Sequence, residues 1–284
     1  MRVRGGPTLK FLQSLCTSDV ETLKPSVLQP TAFLTNKGRI LADAFLQRLN
    51  DEEVLIDVAA SQRAALTKHL KMYKLRMKLE ISEALELNVV GDVGDADLRC
   101  AALGPRAIRE FSGEEEISEY RRRRLTAGVG EAEDIAGRVP LTCNLDLLGH
   151  VSFAKGCYVG QELIARAFYR GTVRKRLFPV AVVDKSAPPL SANIDETLES
   201  LKTSPSELLA EGKALASIAG EEVGDLLTTD GPVGLAMLKV DFAKRALATS
   251  ADDWDLPIEN DDNFVLRIIR PSWYHLLSHQ DNDE

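Results

Sequence analysis

Short alternations of apolar and polar positions dominate the first sixty residues and predict antiparallel strands. Residues 31–46 hold two such stretches on either side of the turn signal Asn-Lys-Gly-Arg at 36–39, so they predict a β-hairpin. Residues 53–58 predict another strand. The start of the chain differs, because residues 9–15 carry leucine at every third position, which predicts a short helix.

Helical patterns then alternate with strand patterns. A helix is predicted over 61–71 with Ser61 as its N-cap, and the apolar and charged alternation over 75–81 predicts a half-buried strand. A charged helix is predicted over 114–125 and a shorter one over 163–168. Helices set among antiparallel strands indicate an α+β fold for this part of the chain.

The last hundred residues favour short strands separated by glycine turns, a pattern typical of a small β-barrel. Residues 176–183 predict its first strand. The following 184–210 are rich in Ser, Pro, Ala and Glu, so we interpret them as a surface insertion with one helix near 196–202. The sequence therefore predicts two domains, 1–175 and 176–284.

Composition narrows the functional classes. The 284 residues are 44% hydrophobic, and 35 basic against 43 acidic residues give a net charge of −8. An acidic chain argues against nucleic acid as a partner, and no apolar run approaches the roughly 18 residues of a membrane span, so no membrane partner is expected. Two basic runs, 121–124 and 169–176, either contact an acidic partner or form solvated faces. The sequence shows no targeting peptide.

Four cysteines offer metal or redox chemistry, namely Cys16, Cys100, Cys143 and Cys157. None are spaced as Cys-x-x-Cys, and a chain of this size does not need disulfides, so we expect reduced thiols. With one cysteine in each neighbourhood, the sequence has no ligand set that would hold an iron–sulfur cluster alone.

Cys157 has the most unusual surroundings. Gly156 and Gly160 flank it, and a helix is predicted to begin shortly after it. The helix end, with Lys155 and Arg166 nearby in sequence, would favour the thiolate, which binds metals and attacks electrophiles. The competing interpretation is a buried cysteine that acts as a small hydrophobic residue.

Neighbouring polar residues also have two interpretations each. Glu162 and Arg166 are spaced for an i,i+4 ion pair, which is favoured over acid–base chemistry. Gln161 would either contact a ligand or remain a solvated amide. Asp43, in a mostly apolar strand, would either accept a ligand N–H or face solvent at the sheet edge.

Residues 151–162 read Val-Ser-Phe-Ala-Lys-Gly-Cys-Tyr-Val-Gly-Gln-Glu and closely resemble the signature of the YgfZ/GcvT-like family. Its members are relatives of the glycine-cleavage aminomethyltransferase that act in iron–sulfur cluster biogenesis. The sequence at 174–180 most resembles the mitochondrial branch of cluster assembly factors. Similarity also extends through 11–15, 38–43, 69–76, 163–166 and 234–238.

The resemblance implies an aminomethyltransferase-like, three-lobed ring of antiparallel sheets with helices. Residues 1–175 would form two intertwined lobes, and 176–284 a C-terminal β-barrel. It also implies a non-enzymatic monomer of the mitochondrial matrix that supports maturation of 4Fe–4S proteins, including aconitase-like and radical enzymes. A-type carrier proteins would be its partners, and Cys157 would be the metal ligand to a 2Fe–2S cluster shared with such a partner.

The residues that this resemblance assigns to the cluster-related site are Lys155, Gly156, Cys157, Tyr158, Gly160, Gln161, Glu162 and Arg166. The alternative function is a folate-dependent aminomethyl transferase, with tetrahydrofolate as cofactor in a cavity at Asp43, Asn144 and Arg124. Relatives usually carry Glu or Gln where this chain has Thr142, whose hydroxyl reaches less far. A transferase needs no thiol at the position of Cys157, so this residue separates the two functions.

Overall fold

The chain folds into two compact units. The first contains residues 1–115 and 131–172, and the second contains 116–130 and 173–284. The structure, a computed structural model, describes residues 1–25, 27–110, 117–248 and 254–279.

Both units combine helices with antiparallel strands, as the sequence pattern predicts. The strands are β1 (Arg2–Arg4), β2 (Gln29–Leu34), β3 (Ile40–Asn50), β4 (Glu53–Val58), β5 (Glu80–Ser82), β6 (Asn88–Ala96), β7 (Pro105–Arg109), β8 (Lys175–Asp184), β9 (Ala214–Ala216), β10 (Glu222–Asp230), β11 (Val233–Lys239), β12 (Leu256–Ile258) and β13 (Asp261–Ile268). The helices are α1 (Thr8–Gln13), α2 (Ala60–Lys74), α3 (Ile117–Thr126), α4 (Gln161–Arg170), α5 (Ile194–Ser200), α6 (Val240–Ala248) and α7 (His275–His279). In the described ranges, no helix has both the length and the apolar character needed to cross a bilayer.

A five-stranded antiparallel sheet organises the first unit, in the order β2-β3-β4-β1-β5. The predicted hairpin is confirmed as β2 and β3, with Phe33 opposite Ala42. Apolar side chains from α1 and α2, including Phe11 and Leu70, are buried against the sheet and form the core of this unit. Strands β6 and β7 form a separate two-stranded sheet.

Two local predictions near α2 are wrong. The helix begins at Ala60, and its N-cap is Ala59, which has no side-chain oxygen to accept a hydrogen bond, so Ser61 is not the cap. The strand predicted over 75–81 is reduced to β5, because α2 continues to Lys74 and the next residues form the connection. Leu75 in that connection is 81% exposed, so the alternation there does not mark a buried face.

A six-stranded antiparallel sheet organises the second unit, in the order β12-β13-β8-β11-β10-β9. Its two edge strands, β9 and β12, approach one another, so the sheet is nearly closed, as the predicted small barrel requires. Strand β8 pairs with β11 on one side and β13 on the other, and its side chains from Arg176 to Val183 are all buried. This central position explains its almost continuous apolar sequence.

Helix α3 belongs to this second unit. Its Arg121 donates a hydrogen bond from Nη2 to Oγ1 of Thr228 at 2.8 Å, and its Arg123 forms an ion pair with Asp195. Arg121 and Arg123 therefore bind the helix to its own unit, while the side chain of Arg122 is 52% exposed.

The segment 184–210 is more ordered than the predicted surface insertion. It carries α5, which Asn193 caps by accepting hydrogen bonds from the backbone N–H groups of Asp195 and Glu196. Ile194, Thr197 and Leu201 are buried, so one side of the segment packs into the second unit.

Candidate functional site

The residues of the signature that precede α4, which we call the signature loop, pack against the β2–β3 hairpin with very short backbone distances. Gly38 and Gly160 have φ values of +74° and +81°. A Cβ atom on Gly160 would lie 2.6 Å from the carbonyl oxygen of Thr35, and one on Gly38 would lie 2.5 Å from Cβ of Leu163. Glycine is required at both positions, since any side chain would clash and would disfavour these dihedrals.

Lys155 fixes the start of the loop. Its Nζ donates hydrogen bonds to the carbonyl oxygens of Cys16 at 2.8 Å and Ser18 at 2.7 Å. The same Nζ lies 5.0 Å from the ring centroid of Tyr158, within cation–π range. Burial lowers the pKa of the Lys155 ammonium. Lys155 therefore holds the loop against the segment that follows α1.

Tyr158 and Gln161 complete the anchoring. The Tyr158 ring is buried, and burial raises the pKa of its hydroxyl above the usual value, so it stays neutral. Its backbone N–H donates to Oε1 of Gln161 at 3.2 Å, and the N–H of Val159 donates to the carbonyl oxygen of Ser14 at 3.0 Å. The Gln161 amide oxygen therefore stabilises the entry to α4, rather than standing as a solvated surface group.

Cys157 remains at the surface after these contacts are made. All four cysteines lie in described ranges, and Cys157 alone is exposed. Burial raises the pKa of the Cys143 thiol to about 12 and also raises that of Cys16, so both remain protonated. Cys157 lies three residues before Gly160, the N-cap of α4. The interpretation of Cys157 as a buried hydrophobic residue is wrong.

The space beside Gly156, the residue before Cys157, is open. A Cβ atom on Gly156 would meet no atom within 4 Å. Glu162 and Arg166 form the expected i,i+4 ion pair at 2.6 Å, with side chains 85% and 67% exposed. Exposed pairs of this kind contribute only about 0.3–0.5 kcal/mol. This pair lies on the exposed face of α4.

Three aromatic side chains form a surface next to the signature, which we call the aromatic surface. The rings of Phe153 and Phe168 are stacked with centroids 3.7 Å apart, and Tyr169 meets Phe168 edge-on at 5.0 Å. Phe168 is 42% exposed and Tyr169 is 69% exposed. Exposed aromatic side chains are typical of protein interfaces. The sequence reasoning missed this group because its members are 15 residues apart before folding.

Asp43 is half-buried in β3, and its Oδ1 accepts a hydrogen bond from the backbone N–H of Ala132 at 2.8 Å. Burial and then the charge of Glu131 raise the pKa of this carboxyl to about 6. One of the two carboxylate oxygens of Asp43, the residue that the transferase hypothesis assigns to a ligand, is thus bonded to the protein itself.

A cluster of charged side chains lies in the same unit, and the sequence analysis did not identify it. Arg99 binds Asp97 through two hydrogen bonds of 3.0 and 2.7 Å and also donates to Glu131 at 2.5 Å. The guanidinium carbons of Arg99 and Arg106 lie 4.5 and 4.4 Å from the ring centroid of Phe45. Although burial opposes it, hydrogen bonding and charge from Arg99 lower the pKa of Asp97. Phe45 and Glu131 are too far from Arg99 in sequence for any spacing rule to connect them.

The other predicted folate residues are engaged locally. Asn144 is fully buried with φ of +62° at the end of a short 3₁₀ turn. The hydroxyl of Thr142 donates to the carbonyl oxygen of Val139 at 2.8 Å. Arg124 lies in the second unit, where it is buried and donates to the carbonyl oxygen of Val129 at 2.9 Å.

Among the described residues, no group of three or more His, Cys, Asp or Glu side chains is arranged to hold a metal ion. An iron–sulfur cluster commonly needs four protein ligands. Cys157 belongs to no such group.

Comparison with known proteins decides the family. A relative from Coccidioides immitis, "Iron-sulfur cluster assembly factor IBA57 homolog, mitochondrial", is 32% identical over 292 residues, covering 84% of this chain and 68% of the relative. The chain belongs to the IBA57 family of mitochondrial iron–sulfur cluster assembly factors. The human IBA57 is 30% identical over 310 residues, covering 89% of this chain and 82% of that protein. The family model described as "CAF17, C-terminal beta-barrel domain" matches residues 174–276.

A solved structure supports the fold class. The glycine cleavage system aminomethyltransferase T from Bartonella henselae aligns with a TM-score of 0.61 at 12% identity, covering 96% of this chain and 82% of that one. At this identity the likeness shows the fold alone. The predicted α+β class with an aminomethyltransferase-like fold is confirmed.

Proposed function

We propose that this member of the IBA57 family matures mitochondrial 4Fe–4S proteins in the matrix by sharing a 2Fe–2S cluster with an A-type carrier protein. The observation that carries the proposal is the exposed thiol of Cys157, held on a loop whose other polar groups are bonded to the protein. Cluster binding requires the thiolate, so the Cys157 proton leaves when the bond to iron forms. The cluster is cargo, and the clients are aconitase-like and radical enzymes.

The partner must supply the missing ligands. The described residues of this chain offer one accessible thiol and no prearranged metal site. A bridged cluster would also need a protein surface beside the thiol to hold the carrier in place. The aromatic surface provides such a contact area, because Tyr169 and Phe168 retain large exposed fractions at the end of α4.

The protein acts in this proposal without catalysing a reaction of its own. The transferase alternative requires Asp43 to receive a pterin N–H, and because its Oδ1 accepts from Ala132, that N–H would have to bind Oδ2. Titration calorimetry with tetrahydrofolate tests this alternative directly. Tight binding that Asp43→Asn abolishes would favour the transferase and weigh against the assembly role.

The experiment for the assembly role mixes the protein anaerobically with a cluster-loaded A-type carrier and follows visible absorbance on a sizing column. We expect the wild-type protein to co-elute with the chromophore as a heterocomplex. Cys157→Ser should lose the co-eluting chromophore, because a hydroxyl is a poor ligand for the iron of the cluster. Cys100→Ala removes a buried thiol and serves as the matched control, which should behave as wild type. Retention of the coloured complex by Cys157→Ser would show that Cys157 is not a ligand.

A further inference from the structure

The C-terminal end of α2 and the connection to β5 form a strongly basic projection, which we call the basic tip. Residues 66–79 contain no Asp or Glu, although the whole chain carries a net charge of −8. Within the described residues, none of the cations of the basic tip forms an ion pair with a carboxylate. These cations are Lys68, Lys71, Lys74, Arg76 and Lys78.

Apolar side chains project from the same tip. Leu75 is 81% exposed, Met72 is 59% exposed and Met77 is 38% exposed. Lys68, Lys71, Met72 and Leu75 follow helical spacing along one side of α2 and its end, so cations and apolar groups share that side.

The backbone conformation at Leu75 does not favour a leucine, so folding alone does not explain why leucine stands there. Its φ of +47° and ψ of −119° are dihedrals that glycine adopts readily and leucine disfavours. Leucine at this position therefore costs backbone energy and gains almost no burial. A side chain that is strained in the backbone and unburied in the fold is available for contact with another molecule.

We propose that the basic tip docks on the surface of an anionic lipid bilayer. Apolar residues that project from a turn can enter the boundary between headgroups and acyl chains, while the surrounding cations meet the negative headgroups. An acidic protein is the competing occupant. The composition favours lipid, because four of the five cations are lysines, which are depleted in protein interfaces.

This surface contact differs from a membrane span and requires none. The sequence-based expectation of no membrane partner rested on the lack of a long apolar run, which does not bear on a short basic and apolar projection. The contact is also independent of Cys157, so the tip can fail its test without affecting the proposed assembly role. If it holds, cluster assembly would take place next to a bilayer.

The test is flotation of the purified protein with vesicles of phosphatidylcholine alone or mixed with phosphatidylglycerol. We expect binding only to the mixed vesicles, with a strong decrease at high salt. Each cation near such a surface contributes roughly a fivefold factor in partitioning, so Lys71→Gln, Lys74→Gln and Lys78→Gln combined should reduce binding about a hundredfold. The matched control combines Lys10→Gln, Lys24→Gln and Lys185→Gln, which removes the same charge from exposed positions elsewhere.

A second variant keeps the test independent of folding. Leu75→Gly relieves the positive φ, so the melting temperature should stay the same or rise, while the salt-resistant part of vesicle binding should fall. Equal losses in the tip variant and the control variant would overturn the proposal. So would a failure of the wild-type protein to bind mixed vesicles at low salt, and an acidic protein would then be the remaining occupant.

Discussion

At the scale of single residues, most side chains of the signature fix the position of the loop, and one side chain is exposed on it. Lys155 binds carbonyl oxygens next to α1, Gln161 binds the backbone of Tyr158, and Gly160 allows contact with the hairpin. Cys157 is left exposed at the surface. A loop with this many fixed contacts presents its thiol in a preorganised position.

Gly160 and Gly156 give a matched pair of alanine variants. Gly160→Ala should lower the free energy of unfolding by about 3 kcal/mol or more, because it combines a disfavoured φ with a clash against backbone. Gly156→Ala should have little effect, since its Cβ would meet nothing within 4 Å. Urea unfolding measures both. Equal stability of the two variants would mean that the loop does not pack against the hairpin as described.

Asp43 should make stability depend on pH. Its folded pKa of about 6 lies above the usual value of about 4, so the folded protein holds this proton more tightly than the unfolded chain. The stability that this group contributes is therefore present at low pH and is lost as pH rises through 6. Asp43→Asn keeps an oxygen acceptor for Ala132 and removes the charge.

The variant Asp43→Asn should be more stable than wild type by about 2 kcal/mol at pH 7.5, with the difference shrinking between pH 6 and pH 4. Denaturant melts of both proteins across this range measure it, and subtracting one curve from the other removes the contribution of other groups. A difference that stays constant with pH would show that the Asp43 pKa is not raised.

At the scale of helices and strands, the sequence is informative where local pattern and packing agree. The hairpin of β2 and β3, strand β8 and helix α4 were predictable because their apolar spacing or turn residues match their final environment. The strand predicted over 75–81 was wrong because Leu75 and Met77 alternate with polar residues as in a strand, yet both are exposed and pair with no sheet. Helix α6 escaped detection because it follows β11 with no turn residue between them.

The segment 184–210 shows how packing changes an expectation. Sequence alone predicted a surface insertion. Since Ile194 and Leu201 are buried, replacing residues 188–206 with a Gly/Ser linker should instead lower the free energy of unfolding by about 3 kcal/mol. Urea melts test this, with Leu201→Ala expected to destabilise in the same direction and Glu199→Ala expected to have no effect. Unchanged stability of the deletion would restore the surface-insertion interpretation.

At the scale of the whole molecule, a member of a family of assembly factors has the same fold as an enzyme. The fold is shared with an aminomethyltransferase that is 12% identical in sequence. Membership of the assembly-factor family rests on IBA57 relatives that are about 30% identical. Cys157 was identifiable from the chain because its signature is local. The bond from Lys155 to Cys16 was not, because it joins residues 139 positions apart, and only the folded chain reveals that the lysine holds the loop.

Thiol footprinting tests the central claim most directly. The native protein is alkylated alone, with the apo A-type carrier and with the cluster-loaded carrier, and each cysteine is then quantified by peptide mass spectrometry. Cys157 should be labelled in the free protein while Cys16, Cys100 and Cys143 remain unlabelled. Addition of the cluster-loaded carrier should protect Cys157, and the apo carrier should protect it far less. Equal labelling of Cys157 with and without the cluster would contradict its role as a cluster ligand.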